Sequence, residues 1–227
     1  MLLQILRFHL LPSLTISCQA FTDLRKQVAL AGATHQYFGY SVQTSVAPLP
    51  KERHEITWIM RWPVGPELLE KPNLERAFAE LSQKDPSSLL IDVANNDDKE
   101  LLAGLTAPVC EIVAMKMNND APIRELPLSH SMRKTYTDCY RMQGFTGGDW
   151  GYTLNTNLVG GERDVLPGSW GSRLESKDRK LAIYILGWES IELHEDANKT
   201  PVFAEEMIKL GPWINQESGA WYVRFAT

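Results

Sequence analysis

FGYSVQT, residues 38 to 44, returns as WGYTLNT, residues 150 to 156, with every position identical or closely related. The two copies lie 112 positions apart, and the match extends outward from them. Upstream, each heptad follows a helix-like segment closed by glycine: FTDLRKQVALAG ends at Gly32 and MRKTYTDCYRMQG ends at Gly144, again 112 positions apart. Downstream, HEITWIMRW (54 to 62) matches KLAIYILGW (180 to 188), but Trp62 and Trp188 are 126 positions apart. The second copy therefore carries 14 extra residues, in the loop NLVGGERDVLPGSWGSRLESKD. A second helix follows each tryptophan, NLERAFAELSQ and TPVFAEEMIKL, and then a closing strand, SSLLIDVA (87 to 94) and AWYVRFA (220 to 226). PVCEIVAMKM (108 to 117) takes in the second copy the place that MLLQILRFHL holds in the first.

Each copy reads strand, helix, strand, strand, helix, strand, the ferredoxin-like order. Four antiparallel strands with two helices on one face leave the other face apolar, and burying it against a second copy solves the problem. Here the second copy is covalent. The expected fold is α+β: two tandem ferredoxin-like βαββαβ repeats forming an intrachain pseudo-dimeric α+β barrel. Residues 1–94 form the first half, 95–107 a charged connector running over the surface, and 108–227 the second half. A monomer should suffice to close such a barrel. The repeat also accounts for the hydrophobic N-terminus, which is needed as strand one rather than as a signal peptide.

Composition narrows the function. With 227 residues, a net charge of −5, 44% hydrophobic and 22% charged residues, and basic residues scattered rather than clustered, the chain has no electrostatic footprint for nucleic acid. No stretch approaches the roughly 20 apolar residues of a membrane span. Cys18, Cys110 and Cys139 stand at no metal-ligand spacing and imply no disulfide framework, so a cytoplasmic location is expected. His9, His35 and His54, with Asp23 or Glu55, lack tight spacing, so neither metal nor other cofactor is expected.

The run YILGWESIELHED, the glycine-ended helix before WGY and the PVCEIV restart resemble the antibiotic-biosynthesis-monooxygenase-like (ABM-like) dimeric α+β barrel superfamily, most closely the tandem members of filamentous fungi. The resemblance spans nearly the whole chain. It implies a fold more firmly than a reaction, since such barrels include cofactor-free monooxygenases, polyketide cyclases, decarboxylases, heme-handling enzymes and stress-related proteins. The first half departs from the pattern, with Leu68 standing where the repeat would place His194. One functional pocket, in the second half, is expected.

Four residues are candidates for catalysis. His194, flanked by Glu189, Glu192 and Glu195, is either a general base or a surface residue at a helix start. Tyr152, like its counterpart Tyr40, is either a hydrogen-bond donor to an oxyanion or a structural aromatic beside glycine. Glu111, whose repeat counterpart is Gln4, is either solvated at an edge or held in a cavity with a raised pKa. Glu189 completes the set, and Asp149 is open. Trp188, Trp150, Trp170, Tyr40 and Trp62 are candidates for holding a flat apolar or polycyclic substrate, or for core packing. The loop 157 to 179, present only in the second copy and containing Trp170, is expected to roof the second-half pocket. The leading expectation is cyclisation, isomerisation or decarboxylation of an apolar polyketide- or terpenoid-like compound. A cofactor-independent monooxygenase and a non-catalytic binding protein are the alternatives.

Overall fold

A computed structural model describes residues 1–43, 54–63, 74–93 and 98–226. The first half contains β1 (Leu2–His9), α1 (Gln19–Leu30), β2 (His35–Gln43), β3 (Glu55–Trp62), α2 (Glu75–Ala79) and β4 (Ser87–Asp92). After the helix α3 (Asp98–Leu105), the second half contains β5 (Val109–Lys116), α4 (Leu126–Thr137), β6 (Phe145–Tyr152), the short β7 (Glu162–Arg163), β8 (Leu181–Trp188), α5 (Ile191–Ala197), α6 (Pro201–Leu210) and β9 (Gly219–Val223). The strands form one antiparallel sheet in the order β6-β8-β5-β9-β2-β3-β1-β4-β7.

The repeat is visible in the pairing. Leu2 faces Trp62 across β1 and β3, and Val109 faces Trp188 across β5 and β8, so Gln4 and Glu111 occupy equivalent positions. At one seam between the halves Ser41 pairs with Val223, and at the other Thr153, the repeat counterpart of Ser41, bridges Ile91. The curled sheet thus uses its own second copy to satisfy backbone groups that would otherwise form open edges.

Alternation along each strand sorts side chains into three cores. Leu3, Ile5, Cys110, Ile112, Ile183, Ile185 and Trp221 fill the space between the two sheet halves. Leu6, Phe8, Phe21, Leu24, Trp58 and Trp62 pack under the first-half helices. Met115, Met132, Tyr136, Tyr184, Trp188 and Leu210 pack under the second-half helices. Glu111 therefore points toward the helices while its neighbours Cys110 and Ile112 point into the barrel. At roughly 1.5–3 kcal/mol per fully buried large apolar side chain, these clusters dominate the stability.

Two expectations need correction. The connector does more than run over the surface: Leu101 and Leu105, one helical turn apart, are buried and bring α3 into the barrel core. Glycines allow the approach, for a Cβ on Gly187 would lie 2.6 Å from the Gly104 Cα. Loop 157 to 179 does not roof the second half. It runs along the edge of β4, pairing Ser88 with Glu162, and inserts Leu166 and Trp170 against the first-half core.

Candidate active site

The second half's second helix begins earlier than its apolar periodicity suggests. Ser190 caps α5, its hydroxyl accepting from the Leu193 N–H at 3.3 Å, and a short break precedes α6, which starts at Pro201. This extra helix carries His194 inward, leaving it only 8% exposed instead of at the surface.

His194 meets three partners. Its Nε2 is 3.0 Å from Glu111 Oε2 and 3.1 Å from the Asn198 amide nitrogen, and its Nδ1 is hydrogen-bonded to the Tyr222 hydroxyl. The Trp188 indole N–H donates to Glu111 Oε2 at 3.3 Å. Glu111 and Tyr222 lie directly opposite one another on β5 and β9, and Asn198 sits one helical turn after His194. The result is a buried carboxyl–imidazole–phenol chain.

Burial controls its protonation. Loss of solvent raises the Glu111 carboxyl to about 8, against a smaller opposing effect of the Trp188 hydrogen bond. Burial also lowers His194 to about 4 and pushes the Tyr222 phenol upward. Near neutral pH the Glu111–His194 pair therefore holds one proton, predominantly on Glu111. In that state Nε2 accepts, Nδ1–H donates to Tyr222, and the phenol O–H is free to donate to a ligand.

The chain opens onto a cavity of about 170 Å³ between the sheet and helices α4, α5 and α6. Val113, Met115, Leu186, Phe203 and Met207 make most of its wall apolar, and no lysine or arginine is among the lining residues. This is close to the roughly 150 Å³ that accommodates a benzene molecule in an engineered apolar cavity. As it stands, it suits one ring rather than a polycycle. Cys139 also lines it, but burial pushes its thiol up to about 12, so it is not a thiolate nucleophile near neutral pH.

Of the sequence candidates, Glu111, His194 and Trp188 come together here. Tyr152 does not: its hydroxyl lies 2.9 Å from the Met132 sulfur, and burial raises it to about 12. Glu189 is exposed and outside the cavity wall. Trp150 stacks on the back of Tyr184, at 5.3 Å and 10°, and does not line the cavity itself. Tyr40 belongs to the first half, where its hydroxyl accepts from the Ile16 N–H at 3.3 Å. Trp62 and Trp170 also meet there, edge to face at 5.4 Å. Asp149 is buried on β6, with one carboxylate oxygen accepting from the Trp150 N–H at 2.7 Å. Leu68 lies outside the described residues. Sequence reasoning missed Tyr222 and Asn198. The available signals were the alternation in AWYVRFA, which separates Tyr222 from Trp221, and the four-residue spacing from His194 to Asn198.

Among the described residues, no group of three His, Cys, Asp or Glu side chains is placed to hold a metal ion, and no helix is long and apolar enough to cross a membrane.

This architecture, a curled α+β barrel built from two ferredoxin-like copies in one chain, is a fold shared with solved structures of low sequence identity. The chain is similar to a proposed monooxygenase from Lactobacillus acidophilus NCFM, at 10% identity and TM-score 0.58, covering 100% of this chain and 94% of that one. It is similar at 7% identity and TM-score 0.58 to a proposed monooxygenase from Fusobacterium nucleatum, covering 100% and 92%. An anthrone oxidase-like protein matches at 9% identity and TM-score 0.54, covering 100% and 91%. No protein-family model and no curated protein sequence matches the chain.

Proposed function

We propose that the protein is a cofactor-independent acid–base enzyme that removes a proton from a small, neutral, single-ring phenol or enolisable ketone and returns it at another position. The observation that carries this reading is the buried Glu111–His194–Tyr222 chain opening onto an apolar cavity. With Glu111 ionised, the substrate proton passes to the Tyr222 oxygen, the Tyr222 proton to His194 Nδ1, and the Nε2 proton to Glu111. The product of that step is the protonated state favoured near neutral pH, so the same chain run backward delivers the proton to a new atom. A base whose pKa lies near the working pH combines adequate ionisation with adequate driving force. Trp188, Tyr184 and Phe203 would hold the ring.

The charge of the cavity narrows the substrate further. Its carboxyl-bearing walls are Glu111 and Glu195, and with no lysine or arginine among the lining residues and burial holding His194 neutral, a substrate carboxylate or phosphate would meet no compensating cation. Isomerisation or cyclisation through an enol therefore fits better than decarboxylation.

Oxygenation is the second reading, favoured by the descriptions of the similar structures as monooxygenases and an anthrone oxidase-like protein. In it the same deprotonated substrate reacts with dioxygen, converting an activated CH2, such as the benzylic one of phenylacetone, to C=O with release of water. One assay separates the readings: phenylacetone, acetophenone and 4-methoxyphenol are incubated with the protein in deuterated buffer near neutral pH, with proton NMR and an oxygen electrode as readouts. Accelerated deuterium exchange without oxygen uptake is the expected result. Stoichiometric oxygen uptake would establish the second reading. Binding of these compounds without exchange or uptake would overturn both in favour of a binding protein.

A further inference from the structure

The first-half position equivalent to Glu111 is Gln4, fully buried and pointing toward the first-half helices. Its amide nitrogen donates to the Leu166 and Ser169 carbonyls, at 3.1 and 3.2 Å, and to the Ser88 hydroxyl, at 3.1 Å. Its carbonyl oxygen accepts from the Gly168 N–H at 2.9 Å. Gly168 adopts a positive φ of 75°, which lets the segment turn its amide toward the glutamine. Trp170 then packs against Trp62, the counterpart of cavity residue Trp188.

A loop from the other half thus presents carbonyl, amide and aromatic groups to a buried side chain. We propose that the first half retains a ligand cleft at the equivalent site, that Leu166–Trp170 is its resident intramolecular occupant, and that a flat neutral aromatic carboxamide is the ligand class able to replace it. The carboxamide complements Gln4 donor to acceptor and acceptor to donor, and the ring takes the place of the Trp170 indole beside Trp62. The inference does not depend on the catalytic reading of the second half.

The test uses the full chain with Leu166→Gly, Pro167→Gly, Ser169→Gly and Trp170→Gly combined, which removes the anchoring side chains and makes the backbone costlier to order. Indole-3-carboxamide and 3-methylindole are titrated calorimetrically into the native and variant proteins. The variant is expected to bind one more carboxamide per chain than the native protein, about tenfold more tightly than methylindole, the size expected of two net hydrogen bonds. Adding Gln4→Leu should erase that preference. A folded variant with no extra site, or with equal affinity for both compounds, overturns the proposal. Should the variant not fold, amide exchange in the native protein decides: the Gly168 N–H should exchange by local opening, well ahead of the β1 amides of Ile5 and Leu6. Equal protection would overturn the displaceable occupant.

Discussion

The two halves place the same backbone to different ends. Gln4 and Glu111 share a register position, as do Trp62 and Trp188, and Leu90 stands where Tyr222 stands. In the second half the buried carboxyl meets an imidazole and a phenol beside an apolar cavity. In the first half a neutral amide satisfies all its hydrogen bonds with protein and the space beside it is filled. A buried group that can ionise costs stability and supplies chemistry, whereas a satisfied amide contributes stability alone. The Trp62 indole N–H finds no acceptor among the described residues, while its counterpart on Trp188 donates to Glu111. One repeated backbone thus holds an ionisable chain beside a cavity in one copy and a fully hydrogen-bonded amide under a packed loop in the other.

The largest expected effect comes from making the second half resemble the first. Glu111→Gln should lower turnover by about a thousandfold, within the range for losing a positioned acid or base, and should remove the rise in kcat/KM through about pH 8. His194→Ala should cost about a hundredfold by cutting the chain in the middle, and Tyr222→Phe about tenfold to a hundredfold, both measured on the compound that exchanges fastest.

The converse change tests the first half. Gln4→Glu removes the amide donors facing Leu166, Ser169 and Ser88 and introduces a buried carboxyl, so it should lower Tm by about 5–15 °C near pH 8, read by circular dichroism.

Stability should depend on pH with a worked sign. The folded-state pKa of Glu111 lies above its unfolded value of 4.5, so its contribution is fully present below that pH and is lost as pH rises toward 8. His194 has a folded pKa below 6.5, so its contribution is present above 6.5 and is lost as pH falls toward 4. Glu111→Gln should therefore gain on the native protein in urea midpoints measured from pH 5 to 8, and the gain should vanish at pH 4. The smallest effect is expected from Tyr152→Phe, whose hydroxyl faces the Met132 sulfur rather than the cavity; turnover should change by less than about threefold.

The fold is legible in the repeat itself. Matching heptads and glycines set the register that places Gln4 opposite Met60 and Glu111 opposite Leu186. Half of the site was legible too, since Glu111 and His194 could be singled out by residue type. Their association was not, because it depends on a separate helix, α5, rotating His194 inward and on strand β9 standing beside β5. The repeat highlights Tyr152 and leaves Tyr222 unmarked, yet the recurrence of Tyr152 reflects strand packing. The destination of loop 157 to 179 left no periodic trace. It is fixed by bonds between one glutamine side chain and backbone groups more than 160 residues away.

Everything proposed for the second half rests on Glu111 holding a proton near neutral pH because its surroundings exclude water. Carbon-13 NMR titration of the glutamate carboxyl signals, with Glu111 assigned by the signal missing from Glu111→Gln, reads this directly and needs no substrate. An apparent pKa near 8 is the predicted result. A midpoint near 4.5, with the carboxylate ionised throughout the neutral range, would contradict the account.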